Sequence, residues 1–259
     1  MSPRPSARPA AKSTAHADQQ QPARGQWAYV VLFVLLALIA AQTARLGIAG
    51  FYVQLGRNET EQWTPESRAP SARNVERVAR HYSDSLKYVS DNPWALEGAG
   101  AMDLEKMRAS KIPREALAAT RDANLRFRQA LRQRPTSPYL WANLALSKLY
   151  LDQIDGELSA ALRHAEELGP WEQSIQQTVV FVGLAAWQDL GPDARQAVPR
   201  TIRRGAERNP QKIFQIVKSY TRFDLVCAIE EYRRIGGADC AKAAQTARPG
   251  EAANQGIPQ

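Results

Sequence analysis

The apolar positions of this chain form one continuous run near the N-terminus, followed by a long series of helically spaced stripes. Residues 25–44 read GQWAYVVLFVLLALIAAQTA and carry no charge. From about residue 75 to residue 235, apolar side chains recur at intervals of three and four, the spacing of helices with one buried face. Long strand-like stretches of Val, Ile and Thr are missing from the sequence, so the pattern predicts an all-α protein.

Proline-containing stops separate the apolar stripes at regular intervals. The stripes over 75–89, 116–131 and 158–168 end at Asn92-Pro93, Arg134-Pro135 and Gly169-Pro170. Proline stops a helix because it lacks the amide proton and crowds the preceding turn. With Pro210, the stops lie 42, 35 and 40 residues apart. Units of this length, with two helices each, predict tetratricopeptide-like repeats.

Four tryptophans occupy prominent places in this pattern. Trp94, Trp141 and Trp171 open the helices that follow three of the stops, and Trp187 lies in the apolar segment 175–190. The segments 141–151 and 175–190 are apolar on more than one face, as expected of central helices covered on both sides. We expect all four tryptophans to form the aromatic core of the repeats.

The uncharged run has the dimensions of a membrane anchor. Its twenty residues would span about 30 Å as a helix, the thickness of the hydrocarbon core. Trp27 and Tyr29 stand at its start, and Phe51 and Tyr52 just past its end, where amphipathic rings favour the interface. A cleaved signal peptide is the alternative, with Gly47-Ile48-Ala49 as the best cleavage candidate.

The flanking charges indicate how this anchor is oriented. Arg4, Arg8, Lys12 and Arg24 lie in the first 24 residues, and the twenty residues after the run, 45–64, carry two arginines and two glutamates. The positive-inside bias predicts a cytoplasmic N-terminus, so the main domain lies outside the cytoplasm. The expected location is a bacterial inner membrane with the domain in the periplasm.

Composition completes the predicted organisation. Residues 1–24 are rich in Pro, Ala, Ser and Gln, and we expect a disordered cytoplasmic tail. A transmembrane helix over 25–44 is followed by a linker over 45–71, marked by Pro65 and Pro70. The helical-repeat domain covers 72–240, and a second disordered tail covers 241–259.

The net charge of +8 raises the question of nucleic acid. The basic residues are dispersed and interleaved with Glu and Asp, without a recognition motif, which is typical of solvated helix faces. We therefore predict no nucleic-acid partner. Attraction to an anionic membrane surface or an acidic polymer stays open.

The sequence offers no candidate catalytic, cofactor-binding or metal site. His16, His81 and His164 lack neighbours at metal-ligand spacing. Gly98-Ala99-Gly100 lies inside a helical stretch, where small residues permit close helix packing. Adjacent acidic residues on a helix point in different directions, so they do not form a facing acid–base pair. We predict that the protein is not an enzyme and needs no cofactor.

Cys227 and Cys240 are the two thiols of the chain. In an oxidising compartment an even pair suggests a disulfide, and Gly236-Gly237 offers a turn that could bring the chain back. A bridge over a loop of this size would stabilise the C-terminal end by about 3 kcal/mol. Two free, buried thiols are the alternative.

Two segments resemble a known family. Arg134 to Lys148, RPTSPYLWANLALSK, and Leu168 to Glu172, LGPWE, resemble the VpsP-type polysaccharide biosynthesis proteins, most strongly over about 123–190. The resemblance implies a non-enzymatic component of an exopolysaccharide assembly or export machine, with no catalytic residues to carry over.

These features together predict a membrane-anchored periplasmic scaffold or adaptor that binds other proteins of that machine through helical repeats. A polymerase, flippase or copolymerase would be a suitable partner. A general periplasmic chaperone or translocon-associated factor would share this layout, and a broad set of clients would favour it. A glycan-modifying enzyme would need a cleft with paired carboxylates, which the sequence does not show.

Overall fold

Helices make up the fold. The computed structural model describes residues 24–63 and 70–246, and within these ranges no strand is present. The predicted all-α class is confirmed. The helices are α1 Arg24–Glu61, α2 Ala72–Tyr88, α3 Pro93–Ala109, α4 Pro113–Gln133, α5 Pro138–Tyr150, α6 Gly156–Leu168, α7 Gln173–Ala185, α8 Pro192–Arg208, α9 Pro210–Ser219 and α10 Glu230–Thr246, with a 3-10 turn at Phe223–Leu225.

The chain divides into two compact units, residues 1–44 and 45–259. In the first unit, the described part is the start of α1, and every side chain from Trp27 to Ala44 is exposed. Helix α1 is long and apolar enough to cross a membrane. The predicted tail over 1–24 lies outside the described residues, apart from Arg24 at the start of the helix.

The linker expected over 45–71 is wrong for most of its length. Residues 45–61 belong to α1, and residues 64–69 lie outside the described part of the chain. The segment from Leu46 to Gly56 contains no proline, and the single charge of Arg45 does not interrupt a helix. Ala49 and Val53, on one face of this segment, are buried, so the second unit begins inside α1.

Residues 45–61 of α1 pair with α2 in antiparallel fashion. The Ser85 hydroxyl donates to the Ala49 carbonyl over 2.9 Å, while near the other end Glu59 accepts from Arg77 over 2.8 Å. Val53 is buried in the same cluster as residues of α2 and α3. This pair is the first layer of what we call the helical stack, which comprises residues 45–61 of α1 and helices α2–α10.

The rest of the stack repeats the arrangement. From α2 onward each helix packs against the next one, and α3, α5, α7 and α9 also pack against one another in sequence. Helix α8 packs against both α6 and α10. Each helix pair therefore covers its neighbours, and the fold is helical-repeat-like.

Local sequence explains where the helices begin. Helices α3, α4, α5, α8 and α9 carry proline in their first turn, where the missing amide proton costs no hydrogen bond. Asn92, Ser137 and Asp155 cap α3, α5 and α6 by accepting from backbone amides.

Buried side chains run along the whole stack in adjacent clusters. Phe127 belongs to the largest of these clusters and is fully buried. Gly98 allows close packing, because a β-carbon there would lie 2.3 Å from the Tyr82 ring. The packing role expected for Gly98-Ala99-Gly100 fits this contact.

The C-terminal boundary also differs from the prediction. Residues 241–246 continue α10, since Ala, Lys and Gln are good helix formers and the next proline is Pro249. The remainder of the predicted tail, from residue 247, lies outside the described residues. The turn expected at Gly236-Gly237 is a kink within α10 at Gly236.

Candidate partner-binding surface

Charged side chains are enclosed in the middle of the stack. Lys148 on α5 exposes 2% of its side chain, and its Nζ donates to Asp155 Oδ2 over 2.8 Å and to Glu157 Oε2 over 2.9 Å. Arg128 on α4 donates two hydrogen bonds of 2.7 Å to Glu157. This network ties α4, α5 and α6 together.

This network shifts the pKa of one of its carboxyl groups, Asp155. The hydrogen bond from Lys148 lowers the pKa of Asp155 below its ordinary value of 3.8, and the backbone amides of the α6 N-terminus act in the same direction. The buried ammonium is thus compensated by two carboxylates, as a charge withdrawn from water requires.

A second enclosed charge joins α6 to α8. Glu166 exposes 3% of its side chain and accepts hydrogen bonds from Arg200, over 2.8 Å, and from Arg204. The bond to Glu166 raises the pKa of Arg200. Both networks fix the register between helices, because each charged group is held by two partners on neighbouring elements.

A cavity of about 230 Å³ opens between α2, α3 and α4. Asp103 is nearly buried on its lining and is bonded to Lys106 over 3.1 Å and to Arg126. Burial lowers the pKa of Arg126. Within residues 24–63 and 70–246, no group of three or more His, Cys, Asp or Glu could hold a metal ion.

Three aromatic side chains are exposed at one edge of the stack. Trp94 and Tyr139 lie in the first turns of α3 and α5, and Trp171 lies just before α7, with 42%, 40% and 46% of each residue exposed. We call these residues, together with Arg134, Glu172 and Arg208, the aromatic edge.

Contacts between consecutive repeats connect the aromatic edge. The Arg134 guanidinium lies 3.3 Å from the Trp94 ring centroid and also donates to Ser137 at the start of α5. The Tyr139 hydroxyl donates to Glu172 over 2.8 Å. Arg208, the last residue of α8, lies 5.9 Å from the Trp171 ring.

This edge is made of residue types that are common at protein interfaces. Aromatic residues and arginine are enriched at the centres of protein interfaces, where few residues carry most of the binding free energy. Guanidinium groups over aromatic rings are held in place, so less conformational entropy is lost on binding. Partial burial raises the pKa of Tyr139, and Glu172 adds to the shift, so the hydroxyl stays a donor at neutral pH.

The structure separates the four tryptophans into two kinds. Trp141 and Trp187 pack against the core clusters. The Trp141 indole N–H donates to the Pro135 carbonyl over 2.7 Å, and its ring lies 4.6 Å from that of His164. Both fit the expected core position.

The core position expected for Trp94 and Trp171 is wrong, since both are exposed. They stand at the very start of a helix or just before it, on a side that the neighbouring helices leave exposed, whereas Ala95 and Leu96, directly after Trp94, are buried. Trp141 lies one turn further into α5 and is covered.

Cys227 and Cys240 are joined by a disulfide, with α-carbons 5.5 Å apart. Cys227 follows the 3-10 turn and Cys240 lies beyond the kink of α10. The bridge closes the end of the stack against fraying.

Sequence reasoning missed the enclosed charges and part of the edge. Lys148 could have been noticed as the single charge in the apolar segment WANLALSKLYL. Tyr139 and Arg134 carry no signal of their own, because the exposure of Tyr139 and the contacts of Arg134 depend on how the helices pack. His81, expected to be solvated or at the core edge, is half-buried, and its Nε2 lies 3.0 Å from Glu59 Oε1.

A scan against protein-family models found no match, and no curated protein matches this chain. The family resemblance therefore remains an expectation from the residues that carry it.

Proposed function

We propose that this protein is a non-enzymatic, membrane-anchored scaffold or adaptor in exopolysaccharide biosynthesis or export. Its helical stack lies in the bacterial periplasm and binds membrane and periplasmic proteins through the aromatic edge. The observation that carries the proposal is the row of exposed Trp94, Tyr139 and Trp171, one at the start of each successive repeat.

Four of the six residues of the edge lie in the two segments of the family resemblance. The segment Arg134 to Lys148 supplies Arg134 and Tyr139, and the segment Leu168 to Glu172 supplies Trp171 and Glu172. Both segments also contain buried residues, such as Leu140 and Gly169, which serve packing. Their exposed aromatic residues favour binding, since exposed aromatic residues do not hold a fold together. This overlap connects the edge to polysaccharide assembly.

Membrane anchorage brings the aromatic edge close to membrane-embedded proteins. Confinement to a membrane raises the effective concentration of a binding surface toward membrane-embedded proteins such as a polymerase, flippase or copolymerase. The apolar start of α1 is long enough for such an anchor.

The charges and the disulfide support the periplasmic compartment. The excess of Arg and Lys before the apolar run favours a cytoplasmic N-terminus. Disulfides persist in oxidising compartments such as the periplasm, and Cys227–Cys240 is bridged.

Secretion of the polysaccharide tests the proposal in the native cell. We expect a chromosomal Tyr139→Ala, Trp171→Ala double variant to lose secretion while the protein stays at its normal level. Tyr150→Ala is the matched control, because Tyr150 lies at the other end of α5 with a similar exposure of 38%. Normal secretion by the double variant would contradict the proposal.

A second experiment distinguishes the proposed function from the alternative one. Crosslinking in cells should recover a small set of polysaccharide assembly proteins. A broad set of unrelated envelope proteins would instead indicate a general periplasmic chaperone or translocon-associated factor.

A further inference from the structure

The C-terminal end of α2 lies beside the first turns of α1 that belong to the stack. The Arg45 guanidinium donates to the Tyr88 carbonyl over 3.0 Å, and the Ser85 hydroxyl donates to the Ala49 carbonyl. The rings of Tyr52 and Tyr88 stack with centroids 6.1 Å apart. Residues 45–52 and 85–88 thus form one surface.

The outer side of this surface is apolar and basic. Leu46, Ile48 and Phe51 are exposed by 61%, 40% and 62%. The Phe51 ring packs edge-on against Tyr52 at 6.0 Å. Beside them, Lys87 exposes 71% of its side chain and pairs with Asp84 on its own helix. We call Arg45, Leu46, Ile48, Phe51, Tyr52, Lys87 and Tyr88 the interfacial patch.

Sequence distance sets the depth of this patch. The uncharged residues 25–44 fill a hydrocarbon core of about 30 Å. Leu46 and Ile48 stand two and four residues past Ala44, about 3 and 6 Å of helical rise, which matches the headgroup layers that extend the bilayer to about 40–45 Å in all. Tyrosine, phenylalanine and basic side chains are favoured at that level.

From these contacts we propose that the interfacial patch of the stack is a lipid-binding surface that contacts the headgroup layer of the bilayer. The apolar side chains Leu46 and Ile48 lie next to the acyl boundary, and Arg45 and Lys87 face anionic headgroups. The inference rests on the membrane anchorage in the proposed function. It adds that α2, which is distant from the anchor in sequence, touches lipid.

Lipid is favoured over a protein as the occupant by continuity with the anchor. The exposed apolar side chains follow the uncharged run directly, and Arg45 is the single charge between Gly25 and Gly56. Exposed apolar surface of this kind in a water-facing domain would be costly, whereas at the bilayer boundary it is stabilising. The basic residues match the negative charge of anionic lipids.

Depth-dependent quenching in nanodiscs tests the proposal on the full chain. Single variants Lys87→Cys and Arg73→Cys carry a fluorophore, with the native disulfide kept oxidised. The replaced residues, Lys87 and Arg73, are both exposed basic residues of α2. They lie four turns apart, about 21 Å along the helix. The nanodiscs contain phosphatidylcholine, phosphatidylglycerol and a lipid with a nitroxide headgroup.

We expect quenching at residue 87 to exceed that at residue 73 several-fold. Equal quenching at the two positions would overturn the interfacial patch. A fluorophore at Leu35→Cys, quenched by nitroxide on the acyl chain, tests the anchor separately. Quenching at residue 35 with equal values at 87 and 73 leaves the anchor in place and refutes the patch alone. Absence of quenching at residue 35 refutes both.

Discussion

The interior of the helical stack and its aromatic edge both contain charged side chains, but these side chains make different contacts in the two regions. In the interior, Lys148 and Glu166 are each held by two opposite charges on neighbouring helices. At the edge, Arg134 and Arg208 lie over tryptophan rings that remain exposed. Enclosed charges fix the register of helices, whereas exposed aromatic–arginine pairs leave surface available to a partner. Substitutions in the two regions should therefore separate stability from binding.

The largest expected effect is in the interior. Phe127→Ala should lower the free energy of unfolding by about 3–5 kcal/mol, because the ring is fully buried and its removal leaves a cavity. Denaturant unfolding of the purified full chain measures the loss. Leu125→Ala, on the same helix with 55% exposure, is the control and should change stability by less than about 0.5 kcal/mol. Equal effects of the two substitutions would remove the distinction between interior and surface.

The disulfide should stabilise the end of the interior by a similar amount. Replacing Cys227 and Cys240 together with serine should cost about 3 kcal/mol, since the bridge closes a short loop in the unfolded chain. Thermal melting with fluorescence detection measures this. Intact mass after alkylation without reductant should show no modified thiol in protein purified from the cell envelope. Two modified thiols would contradict the bridge and weaken the periplasmic assignment.

The two kinds of tryptophan give the sharpest contrast between regions. Trp141→Ala should cost about 2 kcal/mol, below the loss typical of a fully buried aromatic residue, because the ring is half-buried. Trp171→Ala should change stability by less than about 0.5 kcal/mol, since nearly half of the residue is exposed. Thermal midpoints of the two variants decide this. A larger loss of stability for Trp171→Ala than for Trp141→Ala would show that Trp171 is packed in the core.

The smallest effect concerns pH. The pKa of Asp155 is lowered in the folded state, so its stabilising contribution is present above the ordinary value of 3.8 and is lost as pH falls through the folded value. Asp155→Asn keeps an N-cap side chain on α6 but removes the charge. The melting temperatures of the two proteins should differ at neutral pH and converge below pH 3.8. A constant difference across this range would contradict the ion pair with Lys148.

Local patterns were sufficient to predict the helices of the stack. The spacing of apolar residues and the stops at Pro93, Pro135, Pro170 and Pro210 depend on neighbouring residues alone. The end of the uncharged run at Ala44 does not mark the end of α1, because a charged side chain can continue a helix and the buried face of α1 runs on through Val53.

The candidate surface could not be derived in the same way. Trp141 and Trp171 both follow one of the proline stops, and their different exposure depends on how the neighbouring helices pack around them. The bonds from Lys148 to Asp155 and from Arg200 to Glu166 require a register between helices that periodicity does not contain. Exposure and ion pairing between helices are tertiary properties.

The central claim is that the aromatic edge binds partner proteins while the rest of the stack stabilises the fold. Site-specific crosslinking in the native cell tests this claim most directly. A photo-crosslinking amino acid is placed at Tyr139 or, as the matched position on the same helix, at Tyr150. We predict that position 139 crosslinks to a membrane protein of the polysaccharide machine and that position 150 does not. Equal crosslinking from both positions, or none from position 139, would contradict the claim.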